Sequence, residues 1–300
     1  MEPLIRLLTE EDYPLVKGMV TGLEDDYVVR IFDKLSRDQN RMFGLFMEGR
    51  LVSLSGYSIY ANRYAMLGRL RSHTAYKGYG YSTQLMKHML DEVFKQEEIQ
   101  WVGANTQEHN FPAQRVIEKV GLTPQIALHG AVTDHVNTLH GGNTPWGKVD
   151  SLDRKKDWIE KAFIQPERIF PYECYYPFPS SFDLFPDGLL KQWNFYENEE
   201  GTRMLITKYD QKKNHYLHTV YPWSDFMKQP GLWETISLDF NQLKEQTGGE
   251  STYIWMDMTK QEASTLPDDH SFNLPSPWIL YGIDRPKWQS MRIHTGIPSR

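Results

Sequence analysis

The stretch from Tyr64 to Thr106 constrains this chain more than any other. Tyr64–Ser72 reads as a strand, and Lys77-Gly78-Tyr79-Gly80-Tyr81-Ser82 follows it as a glycine-containing turn. A helix comes next, with Leu85, Met86, Met89, Leu90, Val93 and Phe94 on one face and Lys87, His88, Asp91, Glu92 and Lys95 on the other. Trp101–Thr106 then reads as a buried strand. A strand, a long helix and a second strand cannot close as a hairpin. The two strands must therefore run parallel, with the helix as their crossover.

The elements before this crossover fit an otherwise antiparallel sheet. Leu4–Leu8 reads as a strand, and Thr9-Glu10-Glu11-Asp12 as a helix start carried on by Leu15, Val16, Met19, Val20 and Leu23. Tyr27–Leu35 reads as a second helix. Met42–Met47, Leu51–Tyr60 and Tyr64–Ser72 form a meander. After the crossover, Ala113–Val120 reads as a helix ended by Gly121, and Pro124–Val132 as a strand. Residues 1–134 are thus expected to form one mixed α/β domain.

Residues 135–185 break the pattern and are expected to wrap: Tyr172–Pro186 is rich in proline and aromatics and poor in Gly and Ser. Residues 186–300 restart it as a C-terminal α/β domain. Gln192–Tyr196, Arg203–Tyr209 and Tyr216–Tyr221 read as strands, Trp233–Gln246 as a helix, and Tyr253–Met256 and Trp278–Ile283 as strands. This order leaves open a degenerate second copy of the first domain, with Pro222-Trp223-Ser224-Asp225 where the glycine turn would be.

A helix N-terminus exposes unpaired N–H groups and the positive end of the helix dipole, so it suits phosphate oxygens. Glycines let the backbone come close. The turn is not a Walker loop, since no Gly-Lys-Ser/Thr ends it, and the dinucleotide spacing fails at Thr83. Tyr79 and Tyr81 bracket Gly80 and either stack on a ligand or pack locally.

The turn resembles the Arg/Gln-x-x-Gly-x-Gly/Ala motif of the GCN5-related N-acetyltransferases. Lys77 stands at the Arg/Gln position, Gly80 at the central glycine and Ser82 at the last small residue. Asn110-x-x-Ala113-x-x-x-Ile117-x-x-x-Gly121-Leu122 is similar to the family's Asn-x-x-Ala-x-x-x-Tyr-x-x-x-Gly-Phe stretch. The resemblance implies the GNAT fold, a mixed, mostly antiparallel sheet with a splayed parallel pair. It also implies acetyl-CoA as co-substrate and transfer of acetyl to an amine.

Lys77, Gly78, Tyr79, Gly80, Tyr81 and Ser82 would then hold the pyrophosphate. Backbone groups of Arg71, Ser72 and Thr74 would meet the pantetheine, with Asn110 and Ala113 near it, and the Ser72 amide would serve as oxyanion donor. Glu108 and His109, with His73 as a further candidate, would supply the general base. Ile117 occupies the place of the tyrosine that often protonates the leaving thiolate, and isoleucine donates no proton. Gly22-Leu23-Glu24-Asp25-Asp26-Tyr27, Gly49-Arg50-Leu51-Val52 and Leu70-Arg71 further resemble the histidine N-acetyltransferase-like group, although Gly68 stands where that group has a glutamate. The expected acceptor is a small-molecule amine such as a free amino acid. A peptide or protein amine, or a CoA-binding module without turnover, is the alternative.

Composition narrows the rest. The net charge of -6 gives no bulk support for nucleic-acid binding. Cys174 is the single cysteine, so no internal disulfide is available and the thiol alone makes no structural zinc site; an inert thiol is expected. The Asp134-His135…His140 stretch lacks tight ligand spacing, and no metal is expected there. The start of the chain does not read as a signal peptide, and no apolar run is long enough to cross a bilayer. These features point to a cytoplasmic protein without membrane partners. The sequence does not fix the oligomeric state.

Overall fold

The computed structural model describes residues 2–294. Along the chain the strands are β1 (Leu4–Leu8), β2 (Asn40–Met47), β3 (Arg50–Tyr60), β4 (Tyr64–Ser72), β5 (Trp101–Gln107), β6 (Thr123–Thr133), β7 (Gly147–Lys148), β8 (Ile169–Glu173), β9 (Tyr176–Pro179), β10 (Asn194–Glu197), β11 (Met204–Gln211), β12 (His215–Val220), β13 (Thr252–Met258) and β14 (Trp278–Asp284). The helices are α1 (Tyr13–Lys17), α2 (Tyr27–Arg30), α3 (Phe32–Leu35), α4 (Tyr81–Phe94), α5 (Phe111–Lys119), α6 (Leu152–Ile159), α7 (Asp187–Gln192), α8 (Leu232–Gln246), α9 (Lys260–Ala263) and α10 (Arg285–His294). They form two compact units. One comprises the residues up to Gln125 together with those from Ile279 on, and the other is Ile126–Trp278.

In the first unit the strand order is β1-β2-β3-β4-β5-β14. The pairings from β1 to β4 are antiparallel, and β4 with β5 is parallel. The fold is therefore mixed α/β with a mostly antiparallel sheet, as expected. Helix α4 crosses from β4 to β5 and buries Leu85, Met86, Met89, Leu90, Val93 and Phe94, the face its periodicity predicts. Each such side chain is worth about 1.5–3 kcal/mol once withdrawn from water. Strand β14 adds Tyr281 and Ile283 to the same core. Beyond it, the Arg285 guanidinium donates to the carbonyls of Phe94 (2.9 Å) and Ile99 (2.7 Å), closing the C-terminal end of α4. Trp288 stacks on Phe94 at 4.7 Å.

In the second unit the order is β6-β13-β12-β11-β10-β7. Here β12 pairs parallel with β13, and α8 is their crossover. The pairings of β7 with β10, β10 with β11, β11 with β12 and β13 with β6 are antiparallel. Strand for strand this repeats the first unit, with β7, β10, β11, β12 and β13 in the places of β1 to β5. A second copy is thus present as topology, but it spans Ile126–Trp278 and not residues 186–300, since β14 beyond Trp278 belongs to the first unit.

Local differences from the sequence reading have physical causes. The helix expected from Thr9 is only a 3-10 turn followed by α1, which ends at Lys17, and Leu15, Val20 and Leu23 are exposed. The Tyr27–Leu35 helix is broken at Ile31, whose φ of -120° is not helical. Within the wrapping segment, β8 and β9 pair as a hairpin.

Candidate active site

The parallel pair closes first and then parts. Tyr64–Leu67 pair with Trp101–Ala104, and the register ends there. Strand β4 runs on through Gly68–Ser72 and β5 through Asn105–Gln107 without continuing that register. The cause lies in β4. Arg69 takes a φ of +62°, and the β3 register shifts between Leu54 and Gly56, so β4 carries one extra residue there. A bulge of this kind twists the strand and re-aims the residues beyond it. Ser55 Oγ donates to the Gly68 carbonyl at 2.7 Å and fixes the bulge from the neighbouring strand. On the opposite face, the Arg69 guanidinium donates to Ser58 Oγ at 2.7 Å.

At the end of the diverging strand lies the glycine turn. Gly78 and Gly80 have φ values of +88° and +82°, a region that disfavours any residue with a Cβ. A Cβ built at either glycine would meet nothing within 4 Å, so the turn is open in front. Gly80 caps α4, and the first i to i−4 bond of that helix is Gln84 N–H to Gly80 O at 3.0 Å. The N–H groups of Tyr81, Ser82 and Thr83 precede that bond and face the turn end of the fourteen-residue helix. This is a cradle suited to phosphate oxygens, made of backbone N–H groups without a side chain in the way.

Ser82 at the first turn of α4 also ties the helix to the strand. Its hydroxyl lies 2.6 Å from Ser72 Oγ, and Ser53 Oγ donates to the Arg71 carbonyl at 2.9 Å. The turn and the end of β4 are thereby held together. The N–H of His73 donates to Val52 O (2.9 Å) and that of Thr74 to Val20 O (2.8 Å), so both are engaged. His73 Nδ1 accepts from Ala75 N–H at 3.2 Å, and its ring meets Tyr76 edge-on. Tyr79 and Tyr81 stack on each other at 5.9 Å, with Tyr79 about two-thirds exposed (69%).

The Arg71 side chain is committed elsewhere. Its guanidinium makes two 2.7 Å hydrogen bonds to Asp26, which also caps α2 by accepting from Val28 N–H. Burial alone would raise the Asp26 carboxyl, but the bonds from Arg71 and Val28 outweigh it and hold the group below its ordinary value. Sequence reasoning noted Asp26 only as part of a resemblance and missed this pair. Ser53 and Ser55, buried hydroxyls on β3, were the other legible and overlooked signal.

Glu108 and His109 form the two-residue turn between β5 and the α5 cap, at the end of the diverging strand; Glu108 is half-buried and His109 exposed. The Glu108 carbonyl accepts from Gln114 Nε2 at 2.5 Å. Asn110 caps α5, its side-chain oxygen 3.4 Å from Ala113 N–H. Ile117 is buried in the core of the unit, 4% exposed, so the position resembling the family's tyrosine faces packing and not solvent.

A bulged β4, a parallel partner that leaves it, and an open glycine turn at the head of the crossover helix together make the candidate site on a mixed α/β fold. Residues 4–122 match the model of the acetyltransferase (GNAT) family, a likeness that implies acetyl transfer dependent on acetyl-CoA. Two solved structures share the fold across both units. A GCN5-related N-acetyltransferase from Sphaerobacter thermophilus is 12% identical with a TM-score of 0.57, covering 94% of this chain and 95% of its own. A provisionally assigned acetyltransferase from Thermoplasma acidophilum is 13% identical with a TM-score of 0.54, covering 94% of this chain and 99% of its own. Comparison with curated proteins gives no match. Among the described residues, no helix is long and apolar enough to cross a membrane.

Proposed function

We propose that this protein transfers the acetyl group of acetyl-CoA to the amine of a small molecule, with a free amino acid as the acceptor class. The observation that carries the reading is the open Gly78–Gly80 turn at the head of α4, beside the point where β5 leaves β4. In this reading Lys77, Gly78, Tyr79, Gly80, Tyr81 and Ser82 receive the pyrophosphate. Lys77 supplies charge, the glycines close approach, and the helix start N–H donors.

The pantetheine arm lies along the freed edge of β4. Arg71 and Ser72 serve it through their backbones, and Thr74 contributes least because its N–H is engaged. Asn110 and Ala113 flank the arm from α5. The Ser72 amide donates to the oxyanion formed when the amine attacks the thioester carbon. Glu108 or His109 takes the ammonium proton. The departing thiolate is not protonated from Ile117, so a substrate or solvent proton serves that step. The histidine N-acetyltransferase-like likeness favours an amino-acid acceptor, and Gly68 argues for one other than histidine. A cytoplasmic setting belongs to the same reading.

One observation favours a second reading. Ile117 is built into the core, which suits a module that binds CoA without turning it over. A panel of amino acids, polyamines and N-terminal peptides with acetyl-CoA, followed by free-thiol release, separates the two. Release with small amines supports the proposal, and release with peptides alone moves the acceptor to protein. CoA binding without release across the panel selects the binding module. Absence of CoA binding overturns both.

A further inference from the structure

The second unit has a buried polar cluster far from the requirements of a CoA site. Cys174 sits at the tip of the β8–β9 hairpin, next to Tyr175, whose φ is +73°. Asp210 and His218 lie on the paired strands β11 and β12, and Asp257 on β13. Cys174 and His218 are both 0% exposed. The Cys174 sulfur, an Asp210 oxygen and a His218 ring nitrogen lie within 4.8 Å of one another.

His218 is the informative member. Its Nε2 lies 2.8 Å from Asp257 Oδ2, which also accepts from Trp255 Nε1 at 3.1 Å. A carboxylate only accepts, so Nε2 carries the proton and Nδ1 presents a lone pair. That Nδ1 is fully buried and has no hydrogen-bond partner. Leaving such an acceptor unsatisfied is destabilising, so it needs an explanation. A histidine whose far nitrogen is fixed by a carboxylate while its near nitrogen is bare is prepared as a metal ligand.

We propose that Cys174, Asp210 and His218 form a site for a zinc-like divalent cation. Thiolate, imidazole and carboxylate together are a zinc donor set, with a fourth position left to water. Two donors bound tetrahedrally to zinc stand about 3.6 Å apart, so the three groups need to close by about 1 Å. The thiol of Cys174 is exchanged for a metal–sulfur bond and its proton leaves to solvent. The charge then balances, since thiolate and carboxylate meet the two positive charges of the ion. Asp210 is already held by Cys174 N–H at 2.7 Å and lies 3.3 Å from Lys212 Nζ, which orients it. Lys208, across from His218 in the register, points its Nζ to the carbonyls of Pro171 (2.6 Å) and Tyr172 (2.5 Å) on the hairpin. The ion would pin the hairpin to the sheet.

Cys174 is the only cysteine in the 300 residues, which makes the test specific. The full chain, free of any histidine tag and stripped with a chelator, is titrated with Co²⁺. A thiolate-to-cobalt charge-transfer band saturating at one equivalent, and displaced by Zn²⁺, is the expected result. Cys174→Ser should abolish the band, His218→Gln should weaken zinc at least about tenfold, and Asp257→Asn about 10–100-fold through the imidazole it orients. No band in the wild-type chain overturns the proposal, as does zinc affinity unchanged in the Cys174→Ser and His218→Gln variants. Should a variant fail to fold, the wild-type band and the protection of its thiol from alkylation by Zn²⁺ decide alone.

Discussion

The two units begin their crossover helices in the same way and finish with opposite surfaces. Both α4 and α8 are capped by a glycine in the left-handed region, Gly80 at +82° and Gly231 at +79°. In front of Gly80 there is open space. In front of Gly231 a Cβ would meet the Thr144 carbonyl oxygen at 2.2 Å. The residues around it fill the helix start. Trp146 N–H donates to Thr235 Oγ1 at 2.8 Å, and the Glu234 carboxylate takes the N–H groups of Gly141 and Asn143, each at 2.9 Å. The strands differ likewise. β12 stays paired with β13 from His215 to Thr219, nearly its whole length, whereas β4 outruns its pairing by the five residues Gly68–Ser72. One topology thus gives a helix start that opens on free space in the first unit and one that its own loop covers in the second.

The largest test of that contrast is Gly80→Asp. A carboxylate at the cradle, on a backbone it disfavours, should weaken CoA about 1,000-fold, about 4 kcal/mol by calorimetry. The wild-type chain should bind one CoA; a second equivalent would break the comparison. Gly231→Ala probes the other side. Because the new methyl meets backbone, it should cost about 3 kcal/mol in chemical denaturation and leave CoA affinity within about twofold.

Asp26→Asn should cost about 2 kcal/mol at neutral pH by breaking the largely buried pair with Arg71. The folded Asp26 carboxyl lies below its unfolded value, so its contribution is full above the unfolded value of about 3.9 and is lost as the pH falls through the folded one. The gap between variant and wild type, followed by denaturation across pH, should therefore shrink on acidification. The smallest effect is expected from Lys77→Ala, about tenfold in CoA affinity, with a flatter salt dependence and recovery in Lys77→Arg.

Much of the candidate site was legible because it is local. The strand, the two glycines and the amphipathic helix lie within some thirty consecutive residues, and each obeys a short-range rule. What was not legible depends on distant partners. The bulge at Arg69 is set by Ser55 and the β3 register, and the fate of Arg71 by Asp26, forty-five residues earlier in sequence. Likewise Cys174 looked like a solitary thiol until the fold placed it beside residues on β11 and β12. The exchange of strands was invisible for the same reason. Nothing within Thr123–Thr133 states that from Ile126 it serves the second unit, and nothing in Ile279–Asp284 that it serves the first. An apolar strand specifies a face, but its neighbour is chosen by the whole chain.

That exchange has a consequence in time. Tyr281, Ile283, Arg285 and Trp288 complete the core around α4, yet they are made about 160 residues after Leu122. At roughly 5–20 residues per second, a ribosome leaves the first unit without its last strand for about 8–30 seconds. During that interval the flank of β5 is an open edge, exposed to mispairing. The first unit therefore keeps that edge without its partner until β14 has been made.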